Sequence, residues 1–242
     1  AYTLSLHDAL PILALLVLAV PAAAQEVSLT LGEGGSLTTR TVQLLALVTL
    51  LSLVPGLAVM ITCFPFMVTV LSILRQAIGL QAAPPNMLII TLALFLTWFV
   101  MDPVLTEAWA AGIGPFSEGR MPLEDAFVNA LGPFRRFMSA RMDPDTFAAL
   151  AALRPEPTPA FGPEAPLALL VPSFLLSEIE HAFQIGFLVF LPFLIIDLVV
   201  AAILMSMGMM MVPPAVVSLP FKLAFFVVAD GWTLIATALV RS

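Results

Sequence analysis

Six ionisable side chains interrupt the otherwise apolar last third of the chain: Glu178, Glu180, His181, Asp197, Lys222 and Asp230. On translocon scales an ion at the centre of a membrane span costs about 2.5–3.5 kcal/mol, so each must be paired, neutralised or turned to water. Three kinds of chemistry suit such a set: proton-coupled carriage of a small solute, hydrolysis by a two-aspartate intramembrane protease, or the polar interior of an oligomeric channel. The protease is the weakest, because Asp197 and Asp230-Gly231 lack a Gly-x-Gly-Asp context. Ser177 and His181 lie one helical turn apart, but no nucleophile elbow or oxyanion loop accompanies them. No phosphate-binding loop, zinc-protease helix or dinucleotide fingerprint is present. Cys63 is the only cysteine, which rules out an intrachain disulfide or a thiolate metal cluster. The expectation is a non-enzyme with no catalytic residue, metal or cofactor.

A second feature is the run Met205, Met207, Met209, Met210 and Met211, interrupted by Ser206 and Gly208 and closed by Val212-Pro213-Pro214. Methionine is unbranched and polarizable, so a ring of such loops could close round a passage and still deform around what passes. The plainer alternative is a greasy interhelical turn. The run also sets a register. Asp197 lies eight residues before Met205 and Lys222 eight after Pro214, so a hairpin folded here brings both to one depth, about 12 Å in. An intrasubunit Asp197–Lys222 pair is the first expectation. Glu178 lies about 28 Å further up the helix and would meet Lys222 only across a staggered subunit boundary.

The elements that must position these residues follow from composition. Of 242 residues 61% are apolar and 10% charged, and the mean hydropathy is +1.08. So little polar matter cannot wet the surface of a soluble globule, and the chain is expected in a membrane. A net charge of −7 removes the basic footprint that nucleic acid requires. The expected fold is all-α, a helical integral membrane protein with a small helical extracytoplasmic domain, assembling into an oligomeric ring.

Along the chain, residues 1–24 read as a signal peptide cleaved after Ala24, with an A-x-A pattern at Ala22 to Ala24. Residues 1–12 lack a basic n-region, are read as artefactual and are assigned no role. Residues 25–101 carry the first two apolar helices. The uncharged stretch Thr41 to Leu74 would span about 51 Å as one helix, too long for a hydrocarbon core of about 30 Å. Tilt, a break at Pro55-Gly56, or a helix leaving the hydrocarbon would absorb the excess. A second helix is expected from Met87 to Met101, stopping at Asp102-Pro103. Residues 102–166 hold more than half the charges and form the expected periplasmic domain with a Pro-rich return. A stripe at Leu123, Phe127, Leu131, Phe134 and Met138 marks a helix over 122–142, and Asp143-Pro144 reads as N-cap and N1 of another. The stripe is read first as a small core; the sharper alternative is a subunit contact through Phe134 and Phe137. Residues 167–242 form a C-terminal hairpin of two long helices. Four crossings then place 102–164 outside and the Arg75 and Met205 connections in the cytoplasm.

Several ordered motifs now carry a family likeness. Ala83-Pro84-Pro85-Asn86, Ala182-Phe183-Gln184-Ile185-Gly186-Phe187, Leu191-Pro192-Phe193-Leu194-Ile195-Ile196-Asp197, the run Met207 to Pro214, Leu219-Pro220-Phe221-Lys222-Leu223 and Asp230-Gly231-Trp232 together resemble the FliP family of flagellar biosynthetic proteins. The likeness covers roughly Val42 to Val240. It implies the core subunit of the flagellar type III export gate, a ring of several copies, five by the family pattern, built with FliQ and FliR at the basal body in the bacterial inner membrane. Unfolded flagellar proteins would be its substrates. Its helices would be partly lifted out of the bilayer into a conical assembly. The resemblance assigns a pore gasket to Met209, Met210 and Met211, flanked by Met205 and Met207, and charge-bearing positions to Glu178, Asp197 and Lys222. Two departures stand out: Pro65-Phe66 where the family commonly has Thr-Arg, and Glu180 where a Lys usually follows Ser-Glu. The virulence injectisome has a related subunit, and the cleavable signal with the sizeable outer domain favours the flagellar branch. A proton-coupled small-solute transporter is the rival from another class; the inverted repeat it would predict is not evident in the two hydrophobic halves.

Overall fold

The computed structural model describes residues 37–79, 84–154, 160–209 and 211–241. The signal-peptide reading and Met210 lie outside them. Two units divide the chain, residues 1–52 and 53–242. Within the first unit the described residues all belong to one helix, α1 (Leu37–Met60); every later helix belongs to the second.

Among the described residues, eight α-helices and one π-helical turn come after α1. They are α2 (Phe64–Ile78), α3 (Asn86–Ala108), the π turn (Trp109–Ile113) leading to α4 (Gly114–Ser117), α5 (Leu123–Arg141), α6 (Pro144–Ala152), α7 (Leu167–Ser206), α8 (Pro214–Val228) and α9 (Gly231–Arg241). No strand occurs among the described residues, and the all-helical expectation holds. The long uncharged stretch does break, but at Ile61-Thr62-Cys63 rather than at Pro55-Gly56, which sit inside α1. The reason is local. Phe64 and Pro65 open α2, where a proline has no orphan N–H to satisfy, and the Thr62 hydroxyl donates back to the Val59 carbonyl at 2.8 Å.

α2 is the central strut. It buries Phe66, Met67, Val70, Leu71, Leu74, Ala77 and Ile78, a run at the three- and four-residue spacing of a helix face. Its most extensive partner is α7, and the Ile73 side chain of α2 packs directly on Gly186 of α7, in the space a Cβ there would need. In hydrocarbon such packing gains nothing from leaving water, because lipid is as apolar as a core. Close fit and satisfied polar groups must therefore hold the helices together.

α3 does not stop at Asp102-Pro103. Pro103 stands inside the helix, which runs on to Ala108 because Val104 and Leu105 continue the packing against the main core. One lost backbone hydrogen bond on an exposed turn is outweighed by that contact. The helix then widens into the π turn, where Gly112 lies so near α5 that a Cβ would meet the Ala126 carbonyl at 2.2 Å. A second, smaller core joins α5 and α6 to the start of α7 through Met138, Met142, Phe147, Ala151, Leu169, Leu170 and Phe174. The return from α6 is pinned by Arg135, whose Nη1 donates to the carbonyls of Pro163 and Ala165 at 2.9 and 3.0 Å.

Among the described residues two stretches are long and apolar enough to cross a membrane, Asn86–Ser117 and Leu167–Ser206, and α8 with α9 makes a third if their bend of 64° is one broken span. The expected second long helix of the hairpin is thus two. Asp230 takes φ 49° at the break, a conformation Asp tolerates better than most residues. At 40 residues α7 is about 60 Å long, twice a hydrocarbon core.

Candidate functional site

Lys222 lies on the buried face of α8, its side chain 7% exposed. Its Nζ donates to Asp197 Oδ2 of α7 at 2.6 Å and to the Ala77 carbonyl of α2 at 3.0 Å. The other carboxylate oxygen, Oδ1, accepts from the Ser218 hydroxyl at 2.6 Å. Three helices therefore meet on one ammonium. The Ala77 carbonyl belongs to the last turn of α2, where carbonyls lack helical partners and the helix dipole favours a cation. Gly79 closes that turn with φ 86° and its N–H donating to the Gln76 carbonyl, an ending that suits glycine.

Glu178 has a different partner. Its side chain is fully buried, and its carboxylate accepts from Arg141 of α5, with Nε 2.7 Å from Oε1 and Nη2 3.4 Å from Oε2. The Arg141 guanidinium also lies over the rings of Phe66 and Phe137, at 5.6 and 5.7 Å from their centroids. One residue earlier, the Ser177 hydroxyl accepts from the Asp143 backbone N–H at 2.9 Å. Asp143 is the N-cap of α6: its Oδ2 accepts from the Thr146 N–H at 2.7 Å. That bond to the Thr146 amide and a further one from its hydroxyl hold the Asp143 carboxyl below its ordinary value. No counterpart of this α5–α7 junction was expected from the residues, because Arg141 and Glu178 are 37 positions apart on different elements. The Glu178–Lys222 contact is an expectation between subunits; within the chain Glu178 pairs with Arg141.

Phe134 and Phe137 are half-buried and pack within the chain, against both cores, with the Phe137 ring edge-on to Phe174 at 5.8 Å. The stripe's exposed part is instead Leu123 and Phe127, nearer the start of α5. Of the other ions in this apolar third, Glu180 accepts from Gln184 at 3.2 Å and His181 is exposed beside Asp143. The exposed Asp230 accepts from the Thr233 hydroxyl. Among the described residues no group of three or more His, Cys, Asp or Glu is placed to hold a metal.

The methionine run begins with a defined turn. Gly208 takes φ 73°, the Met209 N–H donates to the Leu204 carbonyl at 2.9 Å and the Gly208 N–H to the Met205 carbonyl at 3.1 Å. This is the double bond pattern that ends a helix on a left-handed glycine. Pro213 and Pro214 then start α8. The side chains are presented outward: Met205 is 63% exposed, Met207 67%, Met209 45% and Met211 97%. Met207 and Met209 also border an apolar groove of about 530 Å³ between α7 and α8, with Val199, Ile203 and Phe221.

Ion pairs that tie helix to helix, with an outward methionine turn at a hairpin apex, define a helical membrane protein. The model of the FliP family matches residues 47–239. Similar proteins named flagellar biosynthetic protein FliP occur in Caulobacter vibrioides, 51% identical over 92% of this chain and 85% of the relative, and in Pectobacterium carotovorum, 48% identical over 88% and 82%. The one in Bacillus subtilis is 44% identical over 84% of this chain and 91% of its own. The chain belongs to the FliP family. It is a membrane protein of flagellar biosynthesis and protein export, and a proton-coupled small-solute transporter is not favoured.

Proposed function

We propose that this chain is a core subunit of the flagellar type III export gate in the bacterial inner membrane, at the basal body. Several copies, five by the family pattern, close a ring with FliQ and FliR, and unfolded flagellar proteins pass through it. The chain performs no chemistry on them; it provides the route and its seal. The observation that carries this reading is the outward methionine turn on a hairpin locked by Asp197 and Lys222. A turn bearing long, uncharged, adaptable side chains suits a constriction that must shut against small ions yet yield to a polypeptide. The pairs Asp197–Lys222 and Arg141–Glu178 keep charge out of lipid and set the hairpin and the outer helices at fixed depth.

Replacing Met209, Met210 and Met211 together by Ala tests the proposal. Three truncated side chains per copy, repeated round a ring, open a gap that water fills, so ion leak rises while assembly is kept. Unchanged leak and unchanged export would reduce the run to an ordinary interhelical turn.

A further inference from the structure

The geometry points to Ser218 as the positioning residue of the Asp197–Lys222 pair, acting through it on the end of α2. Ser218 is fully buried, and its hydroxyl has one proton to give. At 2.6 Å that proton goes to Asp197 Oδ1, with the Ala215 carbonyl more distant at 3.2 Å. The Asp197 side chain is itself about one-third exposed, 32%, so without a second anchor its carboxylate is free to turn toward the exposed side. Fixing Oδ1 leaves Oδ2 facing Lys222. The ammonium is then aimed so that another of its protons reaches the Ala77 carbonyl.

The consequence lies in α2. Its last turn contains one basic residue, Arg75, and that side chain is directed to Asn86 across the connection. The cation that caps the turn comes instead from α8. Ser218, Asp197 and Lys222 thus fasten the end of α2 to the hairpin that carries the methionine turn, whether or not that turn borders a route.

Amide hydrogen exchange of the detergent-purified assembly, read on the peptide ending at Gly79, tests this. Ser218→Ala should speed exchange there about fivefold, the worth of one hydrogen bond, and leave α5 and α6 unchanged. Ser218→Cys keeps the volume with only a weak donor and should do the same. In an Asp197→Asn, Lys222→Met background that turn should already exchange fast, and Ser218→Ala should add nothing. An equal rise from Ser218→Ala in both backgrounds would show a packing effect and overturn the inference. Parental exchange in Ser218→Cys would overturn it on its own, even if the double background fails to accumulate.

Discussion

Arg141 and Glu178 form a pair whose two halves are unequally exposed, and this predicts unequal costs. Glu178 is 0% exposed and Arg141 is the cation it touches, whereas the Arg141 side chain is 17% exposed and keeps two aromatic faces. Stranding one member of a buried pair costs about 3–5 kcal/mol. Arg141→Met leaves a buried carboxylate alone and belongs at the upper end, about 5 kcal/mol. Glu178→Leu leaves a guanidinium that reaches water and retains ring contacts worth about 0.5–2 kcal/mol, and belongs at or below about 3 kcal/mol. Removing both partners is close to neutral, within about 1 kcal/mol, since neither charge is left behind. For a chain of this size each kcal/mol moves the melting temperature by about 2–4 °C, so Arg141→Met should lower it by about 10–20 °C and the double change by less than about 4 °C. Thermal denaturation of the purified chain in detergent reads all three. Equal losses in the two single variants, summing in the double, would refute the buried-pair argument.

Gly186→Val should cost about 1–3 kcal/mol by forcing α2 from α7, and shortening the obstructing side chain with Ile73→Ala should recover part of it, measured as melting temperature. Exchanging Asp197→Lys with Lys222→Asp should recover part of the assembly and motility lost in either Ala variant. Full recovery is not expected, because an aspartate at 222 cannot donate to the Ala77 carbonyl. Asp143 titrates below its ordinary value of about 3.8, so its capping contribution is present above that value and falls away as pH drops through the lowered folded value; Asp143→Asn should flatten this acid limb in a stability–pH profile.

Punctuation by capping chemistry was legible from residue types. Asp143-Pro144 does open α6, and the run closed by Pro213-Pro214 does separate α7 from α8. Proline alone misled at Pro103, because whether a helix survives a proline depends on the contacts beyond it, and those come from other elements. Depth counting from the methionine run places Asp197 level with Lys222, since one hairpin fixes both. The same counting could not find Arg141 for Glu178, because Arg141 comes from α5, which no spacing within α7 locates. The Ala77 carbonyl was hidden for a different reason: every residue carries a backbone acceptor, so residue identity does not single one out.

Whether the methionine turn borders the path of exported protein is the central question for this chain. A photo-crosslinking residue at Met211, the most exposed of the described methionines of the turn, in cells arrested with an export substrate lodged in the apparatus, tests it directly. Covalent adducts with the lodged polypeptide and with neighbouring copies of this chain are the expected result. Adducts confined to lipid, with none to substrate under arrest, would contradict it.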